Sequence, residues 1–231
     1  MSLLELNNVS AAYGTIEVVH NVSFNVEAGE VLALLGSNGG GKSTLMSVVS
    51  GIHAPTSGTI SFNGQDVTKM SASERVKAGI CAIPEGRGIF PNLTVKENLR
   101  LATYAGVSQA DVEAIAFDRF PRLEERKGQL AGPLSGGEQQ MLALARAFVV
   151  KPKLLILDEL SMGLAPLIVE DLYSRVAALA AEGMALLVVE QFARTILPLA
   201  NRAAIMAHGV ITQVGTPIEI EHALSASYLG A

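Results

Sequence analysis

Four unbroken apolar runs punctuate this chain: Val31–Leu35, Ile80–Ile83, Leu154–Leu157 and Ala185–Val189. Runs of that length without polar alternation read as strands buried on both faces, the habit of a parallel sheet covered by helices. Before the first run, residues 3–9 and 17–26 alternate instead (Val18, His20, Val22, Phe24, Val26) and predict an antiparallel strand pair with one wet face. A short strand is expected at Gly58–Gly64, and further strands near 203–207 and 210–214. Helical spacing follows the first run at Leu45, Met46, Val48 and Val49. Capping patterns open helices at Ser71–Glu74, Thr94–Glu97 and Ser108–Asp111. More helices are expected from Ser135 to about Val150, at 167–181, at 192–200 and as a short terminal piece. From about residue 87 to 133 strand signal is scarce, so this segment reads as a helical insertion between two core strands. The alternation of strands and helices elsewhere predicts an open α/β sheet.

Bulk properties narrow what such a chain does. At 231 residues and 49% hydrophobic, it can bury one large core or two small ones. Its net charge of −5, from 17 basic against 22 acidic side chains, argues against nucleic acid, which needs a basic face. Cys81 is the only cysteine and sits among apolar neighbours, so it reads as a small core residue. The N-terminal residues carry no basic leader and no long apolar core, so no signal peptide is expected. Glu182 and Gly183 split the longest apolar region. No segment reaches the roughly 18–20 apolar residues of a spanning helix, so a soluble chain is expected.

Chemistry concentrates after the first apolar run. Gly36-Ser37-Asn38-Gly39-Gly40-Gly41-Lys42-Ser43-Thr44 matches G-x-x-x-x-G-K-[ST], the phosphate-binding P-loop. Its glycines let successive N–H groups turn toward phosphate oxygens at a helix N-terminus. Lys42 would reach the β- and γ-phosphates and Ser43 would ligate Mg²⁺. Leu154–Leu157 ends in Asp158-Glu159. Ligands gather at the carboxyl ends of parallel strands, which places Asp158 near the P-loop as a second Mg²⁺ ligand and Glu159 as the base for an attacking water. Such a base is worth about 10²–10⁴ in rate.

The segment Leu134-Ser135-Gly136-Gly137-Glu138-Gln139-Gln140 places two glycines in the first turn of a helix. Each glycine costs about 1 kcal/mol relative to alanine there. The loss makes sense if exposed N–H groups approach an anion. This segment resembles the signature motif of the ATP-binding cassette (ABC) ATPases, and the resemblance covers essentially the whole chain. It implies a single P-loop ATPase domain over 1–231, with a mixed sheet core, an antiparallel β subdomain and the helical subdomain at about 87–133. It also implies an ATP site shared between two protomers, Ser135, Gly136 and Gly137 of one closing on the γ-phosphate held by the other. Tyr13, roughly twenty residues before the P-loop, matches the aromatic that stacks on adenine.

Two positions depart from the commonest pattern of these ATPases. Glu85 stands where a glutamine usually touches Mg²⁺ and water, and Gln191 where a histidine usually contacts the γ-phosphate. None of His20, His53, His208 and His222 falls at that place. Together with Pro84–Pro91, Gly163–Pro166 and Val189-Glu190-Gln191, these residues resemble the ATP-binding subunits of importers for branched-chain amino acids. Within that subfamily Leu160, Met162 and Phe192 replace the usual proline, leucine and asparagine. The resemblance implies an ATPase peripheral on the cytoplasmic face of a membrane. Its partners would be a second copy or a paralogue, separate permease subunits and, indirectly, a solute-binding protein. Phe90 and Leu93 are candidates to face the permease or to pack inside the helical subdomain. A urea or amide importer and a non-transport ABC protein are the alternatives.

Overall fold

The computed structural model describes residues 2–86 and 88–229, with side chains to residue 226; Arg87, at the start of the expected insertion, lies outside it. The four apolar runs form strands β3 (Val31–Leu35), β6 (Ile80–Ile83), β7 (Leu154–Asp158) and β8 (Ala185–Glu190). They pair in parallel in the order β3-β8-β7-β6. β9 (Arg202–Ala207) adds in parallel on the far side of β3, and β10 (Val210–Gly215) closes that edge in antiparallel. The double burial has a direct cause. Leu32, Leu34, Leu154, Ile156, Leu187 and Val189 face one core, whereas Val31, Ala33, Leu35, Leu155, Leu157 and Val188 face another.

A second sheet, β2-β1-β4-β5, is wholly antiparallel. It comprises β1 (Ser2–Tyr13), β2 (Ile16–Glu27), β4 (Ser57–Phe62) and β5 (Gln65–Asp66). β1 and β2 run longer than their alternation suggests because bulges repeatedly restore the register. One of these, with Asn21 at φ 47°, turns Val19 as well as Val22 into the core and leaves Val18 half-buried. Helix α1 (Lys42–Val49) lies between the two sheets, with Leu45, Met46, Val48 and Val49 buried. Its C-terminus is held by Arg75 of α2 (Ala72–Ala78), which donates from Nη1 to the carbonyls of Val48 (2.6 Å) and Val49 (2.8 Å). A cation there complements the negative helix end.

Between β6 and β7 the described chain is helical: α3 (Val95–Arg100), a 3₁₀ turn at Leu101–Ala105, α4 (Gln109–Arg119), α5 (Pro121–Glu125) and α6 (Gly136–Val150). Val95, Leu99, Val112, Ala116, Phe120 and Leu123 share one continuous core with α6 and the parallel sheet. α7 (Pro166–Ala181) and α8 (Ala193–Ile196) follow β7 and β8, and α9 (Pro217–Leu229) ends the described chain. α8 covers only Ala193–Ile196, shorter than the 192–200 expected. Pro198 supplies no N–H to continue the ladder, and the chain completes the segment in turns. Among the described residues no helix is long and apolar enough to cross a membrane.

Candidate functional site

The carboxyl ends of β3 and β7 and the start of α1 enclose a cavity of about 310 Å³. It is lined by Val18, Asn38, Gly39, Gly41, Lys42, Ser43, Thr44, Glu85 and Glu159. Although β8 separates β3 from β7 in the sheet, α1 spans that gap and brings the Ser43 hydroxyl beside the Asp158 carboxylate. The P-loop is shaped by packing as much as by freedom. A Cβ at Gly36 would stand 2.1 Å from the Met206 carbonyl oxygen, so only glycine lets the loop pass β9. Gly41, the N-cap of α1, takes φ 96° and provides no side-chain cap, leaving the first-turn N–H groups beside the cavity without a side-chain partner. Gly40 donates to the Ser37 carbonyl and accepts from Gly209 N–H, so the middle glycine of the run is tied on both sides.

Lys42 and Glu159 are both almost fully buried and form an ion pair at 3.2 Å. Lys42 Nζ also donates to the carbonyls of Gly36 (2.9 Å) and Ser37 (3.1 Å). Glu159 holds φ 49°, a left-handed conformation that side chains rarely adopt. Asp158 is pushed up to about 6. Burial is the main cause; the charges of Glu159 and Glu85 add to it, against the opposing Ser43 hydrogen bond and Lys42 charge. Its Oδ1 is buried with no hydrogen-bond partner. An orphaned carboxylate oxygen beside a hydroxyl suits Mg²⁺, which takes one or two protein ligands and completes its shell with water and phosphate. Among the described residues no three acidic, His or Cys groups are gathered closely enough to hold a metal by themselves.

The other predicted residues fall elsewhere. Gln191 is exposed and lines a separate cavity of about 350 Å³ with Gly36, Ser37 and Phe192, on another side of the loop. Tyr13 is half-exposed at the β1–β2 turn, and its ring stacks on His53 at 4.5 Å between centroids. Ser135, Gly136 and Gly137 do not line the P-loop cavity. Ser135 caps α6 and donates its hydroxyl to Glu138 Oε2 at 2.8 Å, while Arg126 holds Oε1 at 2.9 Å. Gly137 is buried, and a Cβ there would lie 2.4 Å from Cγ2 of Ile168 on α7. Close helix packing therefore accounts for this glycine, where an exposed anion-facing turn was expected. Val18 was not anticipated in the lining, because alternation alone aims it at the core and the β2 bulge changes that.

Residues 19–161 match the ABC transporter family. The chain belongs to the ABC transporter ATP-binding proteins. It is 40% identical to the high-affinity branched-chain amino acid transport ATP-binding protein BraG of Pseudomonas aeruginosa, over 99% of this chain and all of that one. It is 34% identical to a protein named as a probable branched-chain amino acid transport ATP-binding protein, LivF, of Archaeoglobus fulgidus, over 95% of each. The structure of an ATP-binding subunit of an ABC transporter superposes with a TM-score of 0.84 at 32% identity, covering 97% of this chain and 94% of that one. Members of this ABC family hydrolyse ATP, and this chain has the fold of their cassettes.

Proposed function

We propose that the chain is the ATP-hydrolysing subunit of an importer for branched-chain amino acids, seated on the cytoplasmic face of a membrane against separate permease subunits. One observation carries this reading: Lys42, Ser43, Glu85 and Glu159 converge with Asp158 on one cavity, which Ser135–Gly137 of a second protomer would close. The full-length likeness to BraG supports the solute class.

Ser43 and Asp158 would hold Mg²⁺, which neutralises phosphate charge as it builds. Lys42 exchanges Glu159 and two backbone carbonyls for phosphate oxygens. The exchange frees the Glu159 carboxylate to take a proton from the attacking water, so the base becomes available only when the triphosphate is present. Glu85 would add a second carboxylate near the metal, and Gln191 would donate a neutral hydrogen bond on the Gly36–Ser37 side. Tyr13 meets adenine with the ring face that His53 leaves open. The protomers act as a homodimer or with a paralogue, and a solute-binding protein delivers cargo to the permease.

Phe90 is half-exposed with the Arg146 guanidinium 5.8 Å above its ring. Arg146 and the exposed Tyr104 line a small cavity between β6 and α6, and the Phe90 and Tyr104 rings offer apolar surface to a permease segment. Leu93 is half-buried and its carbonyl accepts from Ala131 and Asn98, so it packs within the helical subdomain. The test is uptake into vesicles carrying the permease and binding protein of the same system. Leucine uptake that needs ATP and is abolished in Glu159→Gln is the expected result. Uptake and hydrolysis that persist in that variant remove Glu159 as the base.

A further inference from the structure

Glu190 is a buried carboxylate outside the nucleotide cavity, only 1% exposed at the end of β8. Three donors converge on it: Ser161 N–H on Oε1 at 3.1 Å, Ser161 Oγ–H on Oε2 at 2.7 Å, and the Tyr173 hydroxyl on Oε1. Burial, followed by the neighbouring carboxylate, pushes the Tyr173 phenol far above its ordinary range, so it remains a donor at every working pH. A fully satisfied buried carboxylate of this kind holds its partners rigidly.

Its partners begin two residues after Glu159. We propose that Glu190, backed by Tyr173, is a positioning residue that holds the Glu159–Gly163 turn so that the Glu159 carboxylate meets Lys42 and the triphosphate. This rests on the reading of Glu159 as the base. The turn has a demanding shape. Glu159 takes φ 49°, its N–H donates to the Val189 carbonyl and its own carbonyl accepts from Met162 N–H. Leu160, next in line, has no ring to fix its φ, as the proline usual in the resembling subfamily would. Leu160 fills the core with a fully buried side chain, and Ser161 is then clamped through both its N–H and its hydroxyl. A non-glycine residue stays left-handed only when its surroundings over-determine it. Here one end of the turn is fixed by Val189 and the other by the adjacent Glu190.

The same residue connects the turn to the P-loop. Glu190 lies level with Leu35, the last residue before Gly36, and immediately precedes Gln191. Neither Glu190 nor Tyr173 lines the cavity, so neither has a route to touch nucleotide.

The experiment compares Glu190→Gln, Tyr173→Phe, Glu159→Gln and Glu190→Gln/Glu159→Gln in the purified full-length chain. The readouts are single-turnover hydrolysis, ATP affinity, melting temperature and hydrogen exchange at the Ser161 amide. E190Q is expected to lose tenfold or more in rate with ATP Kd within twofold, and to exchange Ser161 at least tenfold faster. Y173F, which leaves both Ser161 bonds in place, is expected to shift in the same direction by less. The double variant should hydrolyse no more slowly than E159Q. A folded E190Q with wild-type rate, a further tenfold loss on top of E159Q, or a parallel loss of ATP binding each overturns the proposal. Should E190Q fail to fold, a wild-type rate and unmoved exchange in Y173F overturn it. An E159Q chain that hydrolyses normally overturns the base assignment itself, whereas an inactive E159Q beside a fully active E190Q overturns only the positioning role.

Discussion

Burial and two neighbouring carboxylates push Asp158 up to about 6, and in the nucleotide-free chain that shift sets the sign of a pH dependence. The folded state binds the proton more tightly than the unfolded state does. The associated stability is therefore complete below pH ~4 and is lost as pH rises through ~6. Urea unfolding in metal-free buffer should show wild type losing roughly 2–3 kcal/mol across that window relative to D158N. Equal slopes in the two proteins would mean that Asp158 is not the titrating group. A second residue-scale prediction separates packing from anion binding at the signature helix. Gly137→Ala drives a methyl into Ile168 Cγ2 and should cost about 1–3 kcal/mol. Ile168→Ala removes the obstructing atom, so the double variant G137A/I168A should recover most of the melting temperature lost by G137A. A G137A chain that melts like wild type would show that the contact relaxes freely.

At the scale of elements, α1 matters because the P-loop is its N-terminal extension. Four carbonyls at or near its far end, those of Val48, Val49, Thr68 and Met70, converge on the Arg75 guanidinium, which is 1% exposed. Removing the fork in R75A strands buried acceptors and should cost about 3–5 kcal/mol in urea unfolding. R75K keeps the charge without the planar fork and should recover only part of that. An R75A chain as stable as wild type would show that water satisfies these carbonyls. Elements of this kind were legible where one physical cause dominated. The uninterrupted apolar runs reported strands buried on two faces, and Ser71, Thr94, Ser108 and Ser135 reported helix starts because each caps its own helix. The P-loop and Asp158-Glu159 were legible for the same reason, since residue type and spacing carry the chemistry. What escaped depends on partners distant in sequence. The need for glycine at Gly36 comes from Met206, that at Gly137 from Ile168, and the β2 bulge that leaves Val18 half-buried comes from pairing with β1. Pro198 could have shortened α8 on sight, but the apolar spacing around it masked the break.

For the whole molecule, the decisive feature is what the P-loop cavity lacks. Its lining contains the loop, both partners of the ion pair and Glu85, but none of Ser135, Gly136 and Gly137. If each site takes its P-loop from one protomer and its signature segment from the other, the two functions can be disabled on separate chains and recombined. Lys42→Ala removes the phosphate-binding cation, and Ser135→Arg places a bulky side chain at the signature cap. Each variant alone forms dimers in which both sites are defective. In a mixed dimer one site carries both lesions, while the other combines the intact P-loop of the S135R chain with the intact signature of the K42A chain. With random two-fold pairing, half the dimers are mixed and half the sites in those are whole, so an equimolar mixture should recover about a quarter of wild-type ATPase activity. The measurement is steady-state hydrolysis of the two variants alone and after mixing, over a range of total protein concentration. Recovery should grow with concentration as dimers form. No recovery from two folded, subunit-exchanging variants would mean that each chain completes its own site.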